Sequence, residues 1–181
     1  MGKGIAEKLG REFPIEVEWK GYELHPETPP QGVKLSILFP GFNPESMVER
    51  LRRAGTPYGI SFNKIERLSN SRLSLEASEF ARDRGSYEKL HSRFFEAYFL
   101  EGRDIGSLET VLEIADEAGL DKVELKEALH KGIYRDRLQE HRELGLRYTV
   151  AGLPTFIING EDKIVGAREY ETFARAVSNY L

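Results

Sequence analysis

The segment VAGLPTFIING, residues 150–160, holds the residues of this sequence whose types and spacing best suit a chemical function. Its apolar run has the composition of a buried strand, yet Pro154 stands at the start of that run, behind Gly152 and Leu153. Proline has no N–H to donate to a β-ladder, so it is confined to strand starts, edges and bulges. The spacing alone favours a structural proline in a trans bond, because most X-Pro bonds are trans.

The other reactive residue types form no pattern that is typical of a catalytic or metal site. Cysteine is absent, which excludes disulfides, thiolate metal ligands and cysteine nucleophiles within this chain. The carboxylates are scattered over predicted helix faces and are interpreted as solvated surface, and the sequence has no GxSxG, GxxxxGK(S/T) or GxGxxG pattern. The histidines lack ligand spacing such as HExxH, so no metal site is predicted and structural roles are favoured for His25, His91, His130 and His141.

Length and composition predict one globular domain with an insertion. The chain has 181 residues, of which 40% are hydrophobic, and this is enough to bury a core. Its formal net charge of −4 argues against a nucleic-acid partner. No apolar run approaches the roughly 18 residues of a membrane span, and the charged N-terminal segment has no apolar signal core. These features predict a cytoplasmic protein with no membrane partner.

The N-terminal part is predicted to contain one helix and one strand. An apolar stripe of Ile5, Ala6, Leu9 and Phe13 indicates a helix that ends at Pro14. The segment IEVEWKGYEL, residues 15–24, then has the clearest alternation of apolar and polar residues in the chain, which predicts a half-buried strand. The proline-dense segment HPETPPQG that follows is predicted to be a loop.

Residues 43–147 are predicted to be helical. Asn43 is an N-cap residue followed by proline at the first helical position, and Gly55 lies where that helix would end. Asp121 and Glu124 resemble a capping box. Further apolar stripes predict helices over the segments RLSLEASEFARDRG, YEKLHSRFFEAYFLEG, SLETVLEIADEAG and DKVELKEALHKG and over residues 133–144.

The C-terminal part returns to strands. TFIING and KIVGA are predicted to form a hairpin through the turn at residues 159–162, and EYETFARAVSNYL is predicted to be a helix with Tyr170, Phe173, Ala174 and Val177 facing inward. The helical block between the two strand regions is long enough for the crossover that a parallel pairing requires. The order of elements therefore predicts an α/β fold with a large helical insertion.

The chain closely resembles the DsbA-like thiol-disulfide oxidoreductases of the FrnE type, a branch of the thioredoxin superfamily. VAGLPTFIING matches the Gly-apolar-Pro-Thr-Phe loop of that family, and VEWKGYELHPETPPQG matches its second strand and the loop after it. LSNSRLSLEASEFAR and FFEAYFLEGRDI match segments of its helical insertion. The resemblance covers essentially the whole chain, and the two insertion segments are its most specific part.

The resemblance implies a binding role for three residues. It implies that Pro154 is a cis-proline, that the Leu153 backbone faces the active site and pairs with an extended substrate peptide, and that Thr155 continues this substrate-binding loop. The partners implied are protein thiols and disulfides or extended peptides, with no cofactor. The resemblance also allows a dimer of this chain.

The sequence departs from the family at its start. The family begins with a strand and a Cys-Xaa-Xaa-Cys at the first helix, where the helix N-terminus lowers the thiol pKa. Met1-Gly2-Lys3 matches the end of that motif, so we expect the sequence to begin just after the cysteine pair. No catalytic residue is therefore assigned within this chain, and we expect it to be redox-inactive in this form.

The same resemblance predicts a thioredoxin-like fold whose first, central strand is missing. The thioredoxin-like domain is assigned to residues 1–40 and 148–181, and the inserted helical domain to residues 41–147. Without the central strand, IEVEWKGY and TFIING would lie about 10 Å apart, twice the usual strand spacing. We expect either that another strand fills the gap or that the sheet is poorly stable.

Two alternative functions also fit the sequence. Kappa-class glutathione transferases and 2-hydroxychromene-2-carboxylate isomerases share the architecture, use a serine region in place of the cysteine pair, and would bring glutathione as a cofactor. The third reading is a non-catalytic module that keeps the proline loop as a peptide-binding edge. Zero cysteines agrees with this reading.

Overall fold

The structure is a computed structural model, and it describes residues 1–63 and 65–181. The helices are α1 (Gly2–Glu12), α2 (Leu35–Leu38), α3 (Pro44–Gly55), α4 (Arg72–Arg82), α5 (Tyr87–Phe99), α6 (Leu108–Glu117), α7 (Lys122–Lys131), α8 (Arg135–Arg147) and α9 (Tyr170–Ser178). The strands are β1 (Val33–Lys34), β2 (Arg67–Leu68), β3 (Thr155–Ile158) and β4 (Asp162–Val165). Within the described residues they form two separate antiparallel pairs, β1 with β2 and β3 with β4.

The first and last helices enclose one hydrophobic core. Ile5 and Leu9 of α1 are buried against Phe173 and Val177 of α9, which confirms the apolar stripes predicted for both helices. Phe156 of β3 lies over this core, with its ring centroid 4.6 Å from that of Phe173. The N-terminal and C-terminal ends of the chain therefore fold together.

The helical block has a second core of its own. Side chains of α4 to α7 form it, and Phe80, Leu90, Ile114 and Leu125 are its largest fully buried members. Both predicted N-caps are present: the Asn43 side chain accepts from the Ser46 N–H at 2.8 Å, and Asp121 accepts from the N–H groups of the first turn of α7. The Glu124 side chain accepts from Arg84, so the returning bond of a capping box at Asp121 stays a prediction. The sequence thus located these helices, and α8 extends three residues beyond its predicted end, to Arg147.

One part of the predicted helical region is wrong. Residues 59–63 and 65–71 are not helical, and Arg67–Leu68 form β2, which pairs with Val33–Lys34. Gly32 allows this approach because it has a φ of +68° and lies close to the Leu68 carbonyl. A two-residue bridge has too few residues to show an alternating pattern, so periodicity did not reveal it.

The predicted strand at residues 15–24 is also wrong, because this segment does not join a β-ladder within the described residues. The segment is paired with no strand among the described residues, and Val17 is 42% exposed. The backbone of this segment instead hydrogen-bonds to a side chain, since the Trp19 carbonyl accepts from Arg82 Nη2 at 2.6 Å. The described residues contain no parallel pair, so the expected crossover between this segment and β3 is absent. The fold is still the predicted thioredoxin-like one with its helical insertion.

The C-terminal hairpin forms as predicted. Asn159 and Gly160 have positive φ values of 51° and 76°, and the Glu161 N–H donates to the Ile158 carbonyl at 3.1 Å. This is the turn that Asn-Gly favours between two antiparallel strands. The domain boundaries at residues 40, 147 and 148 stay a prediction.

Candidate functional site

The loop before β3 presents its backbone to the surface. Leu153 is 50% exposed, and the peptide bond between Leu153 and Pro154 is cis. The Thr155 hydroxyl donates to the Gly152 carbonyl at 2.6 Å and so closes the loop across three residues. Of the three residues predicted to bind substrate, Leu153 is therefore the most exposed.

The strand that follows the loop has one free edge. The Gly166 N–H donates to the Pro154 carbonyl at 2.7 Å, and Phe156 lies opposite Ile164 in the register with β4. Backbone groups along an antiparallel strand point alternately toward and away from its partner. The N–H and C=O groups of Thr155 and Ile157 therefore point away from β4, where no strand of the described residues meets them.

The N-terminus of α1 packs directly against this loop. A Cβ at Gly2 would lie 2.8 Å from Pro154 Cβ, so the absence of a side chain allows the contact. The next residue, Lys3, donates through its ammonium group to the Ser92 hydroxyl on α5. The helix end thus connects the proline loop with the helical block.

These features lie in a chain with clear relatives. A model of the DSBA-like thioredoxin domain matches residues 4–178. The chain belongs to this family. The uncharacterized protein YwbO of Bacillus subtilis is 27% identical over 181 residues, which cover 99% of this chain and 89% of that protein. The thiol:disulfide interchange protein DsbA of Azotobacter vinelandii is 22% identical over 107 residues, or 58% of this chain and 50% of that protein.

Solved structures agree with the DsbA-like fold. A probable DsbA oxidoreductase from Streptomyces coelicolor has a TM-score of 0.86 and 25% identity, over 98% of this chain and 82% of the other. A 2-hydroxychromene-2-carboxylate isomerase has a TM-score of 0.69 and 18% identity, over 98% and 87%, which shows a shared fold alone. The match to the DSBA-like thioredoxin domain confirms the predicted family. Proteins of this family act on protein thiols and disulfides. The FrnE branch stays a prediction.

The histidines lie in different places and form no common site. His25 and His130 are exposed, whereas His91 and His141 are largely enclosed. Among residues 1–63 and 65–181 no group of three His, Asp or Glu side chains could hold a metal ion. In the same residues no helix is long and apolar enough to cross a membrane.

Sequence patterns missed one feature of the site. The hydroxyl bond of Thr155 is local and has no motif that would reveal it. The open edge at Ile157 is in line with the family resemblance, which predicts that the strand beside TFIING is missing, and among the described residues β3 pairs only with β4. The interpretation of all carboxylates as solvated surface was also wrong, because Glu76 and Glu79 are each only 1% exposed.

Proposed function

We propose that this DsbA-like chain binds extended segments of protein substrates by strand addition at Leu153. The observation that carries the proposal is the half-exposed Leu153 before a strand whose outer edge, at Thr155 and Ile157, meets no strand of the described residues. An extended peptide gains main-chain hydrogen bonds by pairing with such an edge, whatever its sequence. The substrate class is protein thiols and disulfides, in line with the family.

The residues of this chain do not supply the redox step. Thiol–disulfide exchange proceeds through a mixed disulfide and requires a cysteine on the enzyme side. The chain has no cysteine. Its contribution to that chemistry is therefore to hold a substrate segment beside the N-terminus of α1, which packs on Pro154.

The strand-addition proposal predicts that peptide binding depends on alternate amides of the peptide. Two peptides of the same sequence are methylated at alternate backbone N–H groups, one at the odd and one at the even positions. One of them should lose binding, and the affinity of the other should stay within about twofold of the parent peptide, because only one set of amides faces the outer edge of β3. Calorimetric titration of the two isomeric methylated peptides and the parent peptide measures this. Equal binding of all three would contradict strand addition, since their side chains are identical.

The Thr155 hydroxyl should contribute to the same binding. In Thr155→Val the bond to the Gly152 carbonyl is lost while the side chain keeps its shape. A neutral hydrogen bond is worth about 1 kcal/mol, so we expect peptide affinity to fall about fivefold. Thr155→Ser keeps the hydroxyl and is the matched control, for which affinity should stay at the wild-type value. Equal affinities for the valine and serine variants would show that the bond does not order the loop.

A further inference from the structure

A charged cavity lies apart from the proline loop, between α4, α8 and the segment that holds Glu18 and Lys20. Its volume is about 380 Å³, within the range of small-molecule sites. One face of α8 forms much of its wall, since positions 137, 140, 141, 144 and 147 recur at helical spacing. The lining residues are Glu18, Lys20, Glu79, Arg82, Arg137, Glu140, His141, Leu144 and Arg147.

The buried carboxylate of Glu79 organises one side of the cavity. It accepts from Arg82 Nε at 2.9 Å and from Arg137 Nη1 at 3.3 Å. Arg82 is further held by the Trp19 carbonyl, and Arg137 by Asp83 at 2.9 Å. Two guanidinium groups are thus fixed in place by one carboxylate, so their positions are set before any ligand arrives.

Most cationic side chains of the cavity already have carboxylate partners. Four cationic side chains line it against three carboxylates, and Asp83 beside it pairs with Arg137, so the formal charges balance. Lys20 is hydrogen-bonded to Glu18, whereas Arg147 is exposed and has no ion pair with any residue in the described part of the chain. Arg147 is therefore available to a ligand.

His141 lies at the cavity as a buried ring that can report on nearby charge. It is only 8% exposed, and its Nδ1 has no hydrogen-bond partner among residues 1–63 and 65–181. That atom is shielded from solvent, so a ligand in the open cavity would act on the ring through its charge.

We propose that this cavity binds a small organic oxyanion, whose carboxylate or phosphate group is held by Arg147 and Arg82 beside the His141 ring. Guanidinium groups suit both anions because their planar donors match two oxygens at once. The volume exceeds that of a lone inorganic ion and leaves room for an organic body beside Leu144. This site is separate from the peptide edge and does not depend on the function proposed above.

The histidine ring provides a direct readout by NMR. Burial lowers the pKa of His141, the charges of Lys20 and Arg82 lower it further, and the charge of Glu79 and a backbone hydrogen bond to Gly21 oppose this. A bound anion favours the charged form, so it should raise that pKa. Titration with inorganic phosphate, at ionic strength held constant with sodium chloride, should shift the His141 ring signals saturably. The signals of exposed His130 should not follow.

Two arginine variants on the same helix test the assignment. Arg147→Gln removes a charge-assisted contact and should weaken phosphate binding about tenfold. Arg142 is exposed on α8 but does not line the cavity, so Arg142→Gln should bind as the wild type does. A parallel titration with citrate distinguishes the sources, because a response to citrate alone assigns a carboxylate ligand and a response to phosphate alone assigns a phosphate ligand. A shift that never saturates with either anion, or equal binding by both variants, would overturn the proposal.

Discussion

Replacement of Glu79 by glutamine should lower the free energy of unfolding by about 1.5–3 kcal/mol, because it removes the charged, buried acceptor that Arg82 and Arg137 share. Glu79 is 1% exposed and bonds to Arg82 through both of its carboxylate oxygens, at 2.9 and 3.2 Å. It also bonds to Arg137. The amide of glutamine has one oxygen and no charge, so it cannot replace these bonds. Urea unfolding followed by circular dichroism measures the loss.

The matched control is an ion pair at the surface. Glu124 accepts from Arg84 at 2.9 Å, but its side chain is 60% exposed. Exposed pairs contribute about 0–1 kcal/mol, so Glu124→Gln should unfold almost as the wild type does. If the two glutamine variants lost similar free energy, burial would not be the source of the strength of the Glu79 cluster, and α4 and α8 would be joined mainly by apolar contacts.

The helical part of the fold was largely predictable because its signals are local. The stripe of Ala77, Phe80 and Ala81 marks the buried face of α4, and these residues are 0–1% exposed. Asn43 and Asp121 mark the starts of α3 and α7 by hydrogen bonds that reach only two or three residues. A helix completes its backbone hydrogen bonds within itself, so its sequence suffices to predict it.

The strands were less predictable because a strand needs a neighbour. Residues 15–24 have the alternation of a strand, yet the described residues offer them no ladder, and Arg82 takes the Trp19 carbonyl instead. Val33 and Leu68 do pair, although neither lies in a patterned segment. Among the strand predictions, that of the β3–β4 hairpin was correct, because Asn159 and Gly160 form its turn and so bring the two strands together locally.

The candidate site was predictable only in part, for the same reason. The loop at Leu153 could be placed from its proline and from the family resemblance. The cavity could not, since Lys20, Arg82 and Arg147 are far apart in sequence and each resembles an ordinary surface charge there. Glu79 also belongs to a helix whose polar residues match those of a solvated face, and only the packing of α8 on α4 buries it.

His91 should make the stability of the protein depend on pH. Its ring lies among Trp19, Tyr87 and Phe95, at centroid distances of 5.0, 5.1 and 4.7 Å. Burial in this aromatic surrounding, together with the charge of Lys3 and that of Arg82, lowers the pKa of His91 to about 4. The folded protein therefore resists protonation at a pH where the unfolded chain accepts a proton.

The sign of this effect follows from the lowered pKa. The unfolded value is near 6.5, so the stabilisation is fully present above that pH and is lost as the pH falls from about 6.5 toward 4. A difference of this size corresponds to about 3 kcal/mol across the window. Phenylalanine keeps an aromatic ring but cannot be protonated, so His91→Phe should lose about 3 kcal/mol less than the wild type between neutral pH and pH 4.

The experiment compares urea unfolding of both proteins across that pH range. The exposed His130 is the matched control, and His130→Phe should keep the wild-type pH dependence. Burial also lowers the pKa of His141, but that contribution is common to all three proteins and cancels in the difference. Parallel pH profiles for the wild type and His91→Phe would mean that water reaches the His91 ring, and thus that the contact of Trp19 with α5 opens in solution.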